Sequence, residues 1–255
     1  MPRTTFDPRV HGFAFGNTWA LDEAEQQHLS NYFAASLTRR NSPGPVGGFL
    51  TSLGMRALRN PLESHLAPGY GLCGGMCFLA LDFYKAGLPV PRGRDANDQP
   101  APGTHLRHYI WKRQIDSIVS DGARFLAWLF FLNYVPPAWP FRGRTAWLLA
   151  RSKEEWKTLK ASVDVGAPVP IGLVRDAKNV YENHQVLAIG YDEADEAHGR
   201  IYLYDPNCPG QVSTISIEFG EQLLDGQETC GAIAPLRGFF CESYTFSDPV
   251  AAIIE

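Results

Sequence analysis

The sequence predicts an α+β fold in which a helical lobe, about residues 1–165, packs on an antiparallel β-sheet, about residues 166–255. Three observations carry this. Apolar residues in the first half recur at helical spacing between capping residues. Those in the second half fall in short alternating or continuous apolar runs separated by turn residues. Helices first and strands afterwards suit an α+β layering rather than alternating βαβ units.

In chain order, Asp22 is a helix N-cap, with Leu21, Leu29, Tyr32, Phe33 and Leu37 near helical spacing. Residues 48–59 read as a second helix. A third begins near Cys73 and ends before Gly87, a C-cap glycine. A fourth covers about 104–133, and Pro136, Pro137 and Pro140 break the chain after it. A fifth runs from about Lys153 to Val163, with Glu154 and Glu155 early and Lys157 and Lys160 late, as the helix dipole favours. The strands are Val169 to Val174, Gln185 to Tyr191, Ile201 to Tyr204, Val212 to Ile217 and Gly238 to Tyr244. Residues 41–48 and 88–103, rich in Pro and Gly, read as surface loops, and 134–144 as a further one. No repeat or long linker divides the 255 residues, so a single domain is expected.

Composition excludes several classes of function. Hydrophobic residues are 45% and charged residues 20%, which is globular rather than disordered. The net charge is −4 with no basic tract, so no nucleic-acid partner is expected. No apolar run reaches the ~20 residues of a membrane span. The longest, Phe125 to Leu132, reads as a buried helix segment. The first residues lack the apolar core of a secretory signal, so a cytoplasmic location is expected. The cysteines are five, Cys73, Cys77, Cys208, Cys230 and Cys241, and an odd count leaves at least one thiol unpaired.

The densest chemical signal is residues 70–84, YGLCGGMCFLALDFY, where Cys73 follows a Gly-containing loop and opens an apolar helix. The thiolate is the nucleophilic form of cysteine, and the free N–H groups of a helix start favour that anion. The same stretch matches G-x-G-x-x-G over residues 69–74. Dinucleotide binding needs a buried strand before it, and Pro68 argues against one. A second segment, residues 183–192, puts His184 at the start of an apolar strand, a rigid mount for a general base. A third, residues 200–207, ends a strand at Asp205, followed by Pro206. A polar loop from Glu193 to Gly199 makes these two strands a hairpin, which places His184 and Asp205 at the same end.

Taken together, these residues resemble a known family. Cys73-Gly74-x-x-Cys77 resembles the D-C-G-x-x-C start of peptidase domains on bacteriocin-exporting transporters, whose first cysteine is the nucleophile. His184-x-Val186-x-x-x-Gly190-Tyr191 resembles the segment around the base histidine of papain-like cysteine peptidases. Asp205-Pro206 resembles the segment that supplies the orienting acid in the transporter-linked group. The resemblance covers residues 70–84 and 180–207, and it implies a papain-like fold and a Cys73–His184–Asp205 triad.

Two departures from that pattern stand out. Papain carries C-G-[SA]-C-[WY] with the second cysteine reactive, so Cys77 rivals Cys73. Cys73 is preferred because it opens the helix, whereas Cys77, with Ala80 and Tyr84, continues a stripe that should face the core. The family's oxyanion-hole Gln is replaced by Ala67, and Asn17 is the candidate amide in its place, beside the Cys73 N–H.

The expected function is therefore a cysteine hydrolase, a peptidase or amidase. It acts on a peptide or amide-containing substrate through a thioester acyl-enzyme, without metal or organic cofactor. A transglutaminase-type acyl transferase and a non-catalytic peptide- or partner-binding protein of the same fold are the alternatives. Elsewhere, His105 and His108 lie three apart and read as a solvated helix face, and Phe125 to Phe131 as core. Cys230 and Cys241 can pair across a turn, but free buried thiols are the default. Cys208 follows Asp205 closely enough to reach the site, where a disulfide to Cys73 is conceivable.

Overall fold

A computed structural model describes residues 1–20, 25, 27, 71–134, 144–175, 183–220, 224–231 and 235–254. The helices expected from Asp22 and over 48–59, the loops 41–48 and 134–144, and Ala67 fall largely or wholly outside these residues. The described helices are α1 (Pro8–His11), α2 (Cys73–Ala86), α3 (His105–Tyr134) and α4 (Arg144–Asp164). The strands are β1 (Val169–Arg175), β2 (His184–Glu193), β3 (His198–Tyr204), β4 (Ser213–Phe219), β5 (Leu224–Glu228) and β6 (Leu236–Cys241). A short 3₁₀ helix at Pro249–Ala252 follows.

The strands do not form the open sheet of a papain-like two-lobe arrangement. They run in order as antiparallel neighbours and close into a barrel through β1 and β6. That finding overturns the expected fold class, a helical lobe packed on an open sheet. Two features account for the difference. β5 reads Leu-Asp-Gly-Gln-Glu, which carries no apolar alternation and no strand signal of its own. The closing pair joins Ile171 to Cys241 and Leu173 to Phe239, partners far apart in sequence with no local signature. Gly172 permits that closure: a Cβ there would lie 2.5 Å from the Phe240 ring.

Alternation along the strands separates two cores. Ile171, Leu173, Val186, Ala188, Ile201, Leu203, Ile215, Ile217 and Phe239 fill the barrel, with Trp156, Leu159 and Val163 of α4. The opposite face of β2 and β3 carries Leu187, Ile189, Tyr202 and Tyr204, which pack on Met76, Cys77 and Ala80 of α2 and on Phe6, Phe13 and Phe15 of the N-terminal segment. A third cluster joins Trp128 and Leu132 of α3 to Val174 and Phe240. Strands covered on both faces explain the near-continuous apolar run of β2.

Helix α2 is almost entirely buried from Gly74 to Phe83 and ends at Gly87, whose φ of 65° is the left-handed cap expected of glycine. The segment after β6 straps α2 to α3. Asp82 accepts hydrogen bonds from the Tyr244 hydroxyl at 2.5 Å and the Ser247 N–H at 3.0 Å, and pairs with Arg113 at 2.7 Å. The N-terminal segment lies along β2, with Thr4 N–H donating to the Ile189 carbonyl at 2.9 Å. No described helix is long and apolar enough to cross a membrane.

Candidate active site

Cys73 is the first residue of α2 and His184 the first of β2. The two starts meet because α2 lies against the outer face of β2. Cys77, one turn into the helix, donates its thiol to the Gln185 carbonyl at 3.6 Å. Gly74 allows the close approach, since a Cβ there would collide with Gln185 Oε1 and lie 2.5 Å from Ser117 Oγ.

The start of α2 is capped from outside. Its N-cap position, Leu72, has no side-chain oxygen to offer. Gln114 of α3 supplies one instead: its Oε1 accepts the Gly75 N–H at 2.8 Å. The Gly74 N–H, with the N–H of Gln185, donates to the Cys73 sulfur. The Cys73 N–H stands at the first helical position, where no intrahelical acceptor exists.

The hairpin β2–β3 brings His184 and Asp205 together. His184 Nε2 is 2.7 Å from Asp205 Oδ1. Asp205 Oδ1 also accepts the Asn207 N–H at 2.8 Å. With Nε2 committed to the carboxylate, Nδ1 is the nitrogen left for the Cys73 thiol, to which the ring is also hydrogen-bonded. Cys73 is partly exposed, whereas His184 and Asp205 are buried.

The electrostatics follow from that chain. Burial pushes the Cys73 thiol up, but the His184 charge and the hydrogen bonds to the sulfur outweigh it and hold the thiol below its ordinary value. Burial lowers His184, but the charges of Asp205 and of the Cys73 thiolate raise it to about 10. Asp205 lies below the ordinary carboxylate range: its burial is outweighed by the His184 charge, the hydrogen bonds it accepts and the charge of Arg175. Both shifts run in the direction that favours the thiolate–imidazolium form of the pair. Cys77 has the opposite character, since burial and the negative charges around it raise its thiol far above the usual value. Of the two rivals, only Cys73 combines exposure, a base and a lowered pKa.

Asn17 lies beside the loop that enters α2. Its Oδ1 accepts the Leu72 N–H at 2.6 Å and the Trp19 indole N–H at 3.1 Å. Those bonds fix which end of the amide is the donor. Nδ2 donates one hydrogen to Asn207 Oδ1 at 3.0 Å. Gly71 leaves the room, because a Cβ there would collide with the Asn17 amide.

Several contributors were not singled out in the sequence. Gln185 follows the histidine, and its Nε2 donates to Glu242 Oε1 at 2.5 Å. Glu242 is buried just past β6, and its Oε2 has no hydrogen-bond partner among the described residues. Burial raises its carboxyl to about 8 against the Gln185 bond, and the charges of Asp121 and Cys73 add to that rise. An acidic residue directly after the apolar run Phe239-Phe240-Cys241 was the available signal. Asn207 had none beyond its place in the turn.

The cysteine expectations need correction. Cys208 pairs with Cys230, their Cα atoms 5.9 Å apart, so Cys230 is not the free buried thiol expected by default. Cys230 does not pair with Cys241, nor Cys208 with Cys73; Cys241 is free and buried. The reason lies in the turn after Asp205, which brings Cys208 to the end of β5. His105 and His108 are exposed on α3, and no group of metal-ligating side chains occurs among the described residues.

Comparison with protein-family models, with curated proteins and with solved structures finds no match to this chain.

Proposed function

We propose that the protein is a cysteine hydrolase of peptide or amide bonds, acting through Cys73, His184 and Asp205. The observation that carries this reading is the linkage itself. One imidazole is bound on one side to a buried carboxylate at 2.7 Å and on the other to a thiol at a helix start. The resemblance of residues 70–84 and 180–207 to cysteine peptidases supports it further.

In the reaction, the Cys73 thiolate attacks the substrate carbonyl carbon. The carbonyl π electrons move to oxygen, and the oxyanion is met by the Cys73 N–H and the Asn17 Nδ2 hydrogen not given to Asn207. The His184 imidazolium gives its proton to the leaving amine, the C–N bond breaks and a thioester remains. His184, now neutral, takes a proton from water, which attacks the thioester; the C–S bond breaks, the acid is released and the thiolate–imidazolium pair is restored. Asp205 keeps the ring oriented and stabilises its charged form. This chemistry calls on no metal or organic cofactor. Transfer to an amine instead of water is the same reaction with a different second nucleophile. The Cys208–Cys230 bond favours an oxidising location over the cytoplasm, where thiols are kept reduced.

The test uses an activated ester, p-nitrophenyl acetate, and peptide mapping after a brief pulse. The expected result is a burst of nitrophenolate with acetyl on Cys73, absent in Cys73→Ala and slowed in His184→Gln. Acetylation spread over Cys77 or lysines, with no burst, overturns the proposal and leaves a binding protein. Added glycinamide that diverts acetyl from water identifies a transferase.

A further inference from the structure

The Cys208–Cys230 disulfide joins two segments for which the proposed reaction has no use, and its surroundings assign it a task. Cys208 closes the tight turn that begins at the catalytic acid: its N–H donates to the Asp205 carbonyl at 3.0 Å. Within the same turn the Asn207 N–H donates to the Asp205 carboxylate at 2.8 Å. The turn also holds Asn17, through the Pro206 carbonyl, which accepts the Asn17 N–H at 3.0 Å, and through Asn207 Oδ1, which accepts the Asn17 amide at 3.0 Å. One four-residue turn therefore holds both the acid and the candidate oxyanion donor.

The other half of the disulfide stands on fixed ground. Cys230 lies two residues past β5. Before it, Thr229 exchanges bonds with Thr214 of β4: its N–H donates to the Thr214 carbonyl at 3.0 Å and its Oγ1 accepts the Thr214 N–H at 2.8 Å. Glu228 is held by a buried ion pair with Arg175 at 2.5 Å, both side chains almost fully covered. The sulfur–sulfur bond thus ties the Asp205 turn to the β4–β5 hairpin of the barrel.

We propose that Cys208 and Cys230 are positioning residues for the Cys73 site: their disulfide fixes the Asp205–Cys208 turn, and its reduction releases the acid and Asn17 together. The inference rests on the triad reading above. It gives the site two opposite redox requirements, because Cys73 works as a free thiolate while Cys208 and Cys230 must stay paired. A dithiol reductant reverses the clasp. One of its thiolates attacks a cystine sulfur and the S–S bond breaks; its second thiol then closes the reductant to a cyclic disulfide, and two cysteine thiols remain. Activity therefore peaks at an intermediate redox poise, and strong reduction lowers it.

The test is the rate of Cys73 carbamidomethylation by iodoacetamide across pH 5–9, read by peptide mapping. It is run on the air-oxidised protein, on the same protein after dithiol reduction, and on the Cys208→Ser/Cys230→Ser variant. Circular dichroism and tryptophan fluorescence report folding. The expected result is a fast low-pH plateau in the oxidised protein only. Both forms lacking the bond label at least tenfold more slowly at pH 6, and Asp205→Asn costs them less than it costs the oxidised protein. A folded serine variant with the wild-type profile overturns the clasp and leaves the triad standing. So does mapping that finds Cys208 and Cys230 as free thiols in the oxidised protein. Loss of folding in both forms lacking the bond overturns it as well, because the bond then holds the barrel rather than the turn. An oxidised protein without the low-pH plateau overturns the triad reading itself, and the clasp with it.

Discussion

Replacing Asp205 by Asn removes one charge while keeping the shape of the site. The amide oxygen can still accept from His184 Nε2 and from the Asn207 N–H, the two bonds that Asp205 Oδ1 makes at 2.7 and 2.8 Å. What is lost is the negative charge that raises His184 against its burial. A buried hydrogen bond to a charged group contributes about 1.5–3 kcal/mol. At about 1.4 kcal/mol per pKa unit, that lowers the His184 imidazolium by about one to two units. From about 10 that brings it to about 8–9, so the imidazolium still stands at pH 6 and is lost about one to two pH units earlier on the alkaline side. The expected result is a His184 titration, followed by its ring-proton resonances, whose midpoint in Asp205→Asn lies about one to two units below that of wild type. Equal midpoints in two folded proteins would refute the reasoning that the carboxylate sustains the imidazolium.

Asn17→Ala is expected to slow ester or amide turnover by about 10²-fold, the usual cost of losing one oxyanion donor, while changing Cys73 alkylation only a few-fold; equal losses in both would assign Asn17 to holding the Leu72 loop instead. Glu242 carries a pH signature. Its carboxyl is raised to about 8 in the folded protein, so the native state keeps a proton that the unfolded chain releases near its ordinary value. Its contribution is therefore fully present below about pH 4.3 and is lost as pH rises through 8. Urea unfolding of Glu242→Gln, which keeps an acceptor for Gln185, should show that loss flattened by an amount on the order of a few kcal/mol, and an unchanged pH slope counts against the burial argument. Gly74→Ala pushes a methyl into Gln185 Oε1 and Ser117 Oγ. It should cost about 1–3 kcal/mol of stability by overpacking and slow Cys73 alkylation, and a neutral substitution there would deny the close approach of α2 to β2.

The site was more legible in the sequence than the fold. Cys73 announces itself locally, because a glycine loop and an apolar helix flank it and the helix start explains its chemistry. His184 and Asp205 become neighbours by hairpin arithmetic alone, since the strand that leaves His184 returns at Asp205. Helix α3 and the end of α2 at Gly87 came from periodicity and a cap; α4 starts earlier, at Arg144, than its charge pattern around Lys153 indicates. Barrel closure was not legible, because β5 is polar and the β1–β6 pairing is long-range. The disulfide partner of Cys208 was hidden for the same reason: β5 had to be placed before Cys230 could be. Glu242 was missed because a buried carboxylate is recognised by what surrounds it, and those neighbours, Gln185 and Asp121, come from β2 and α3.

The claim at the centre is that Cys73 and His184 form a thiolate–imidazolium pair. Thiolate ultraviolet absorbance at pH 6 measures this directly, with Cys73→Ala as the blank. One thiolate per chain is expected in wild type at pH 6, lost in His184→Gln, whose Cys73 titrates near the ordinary thiol value of about 8.5. A wild-type protein whose Cys73 absorbance appears only near that ordinary value, with or without His184, would contradict it.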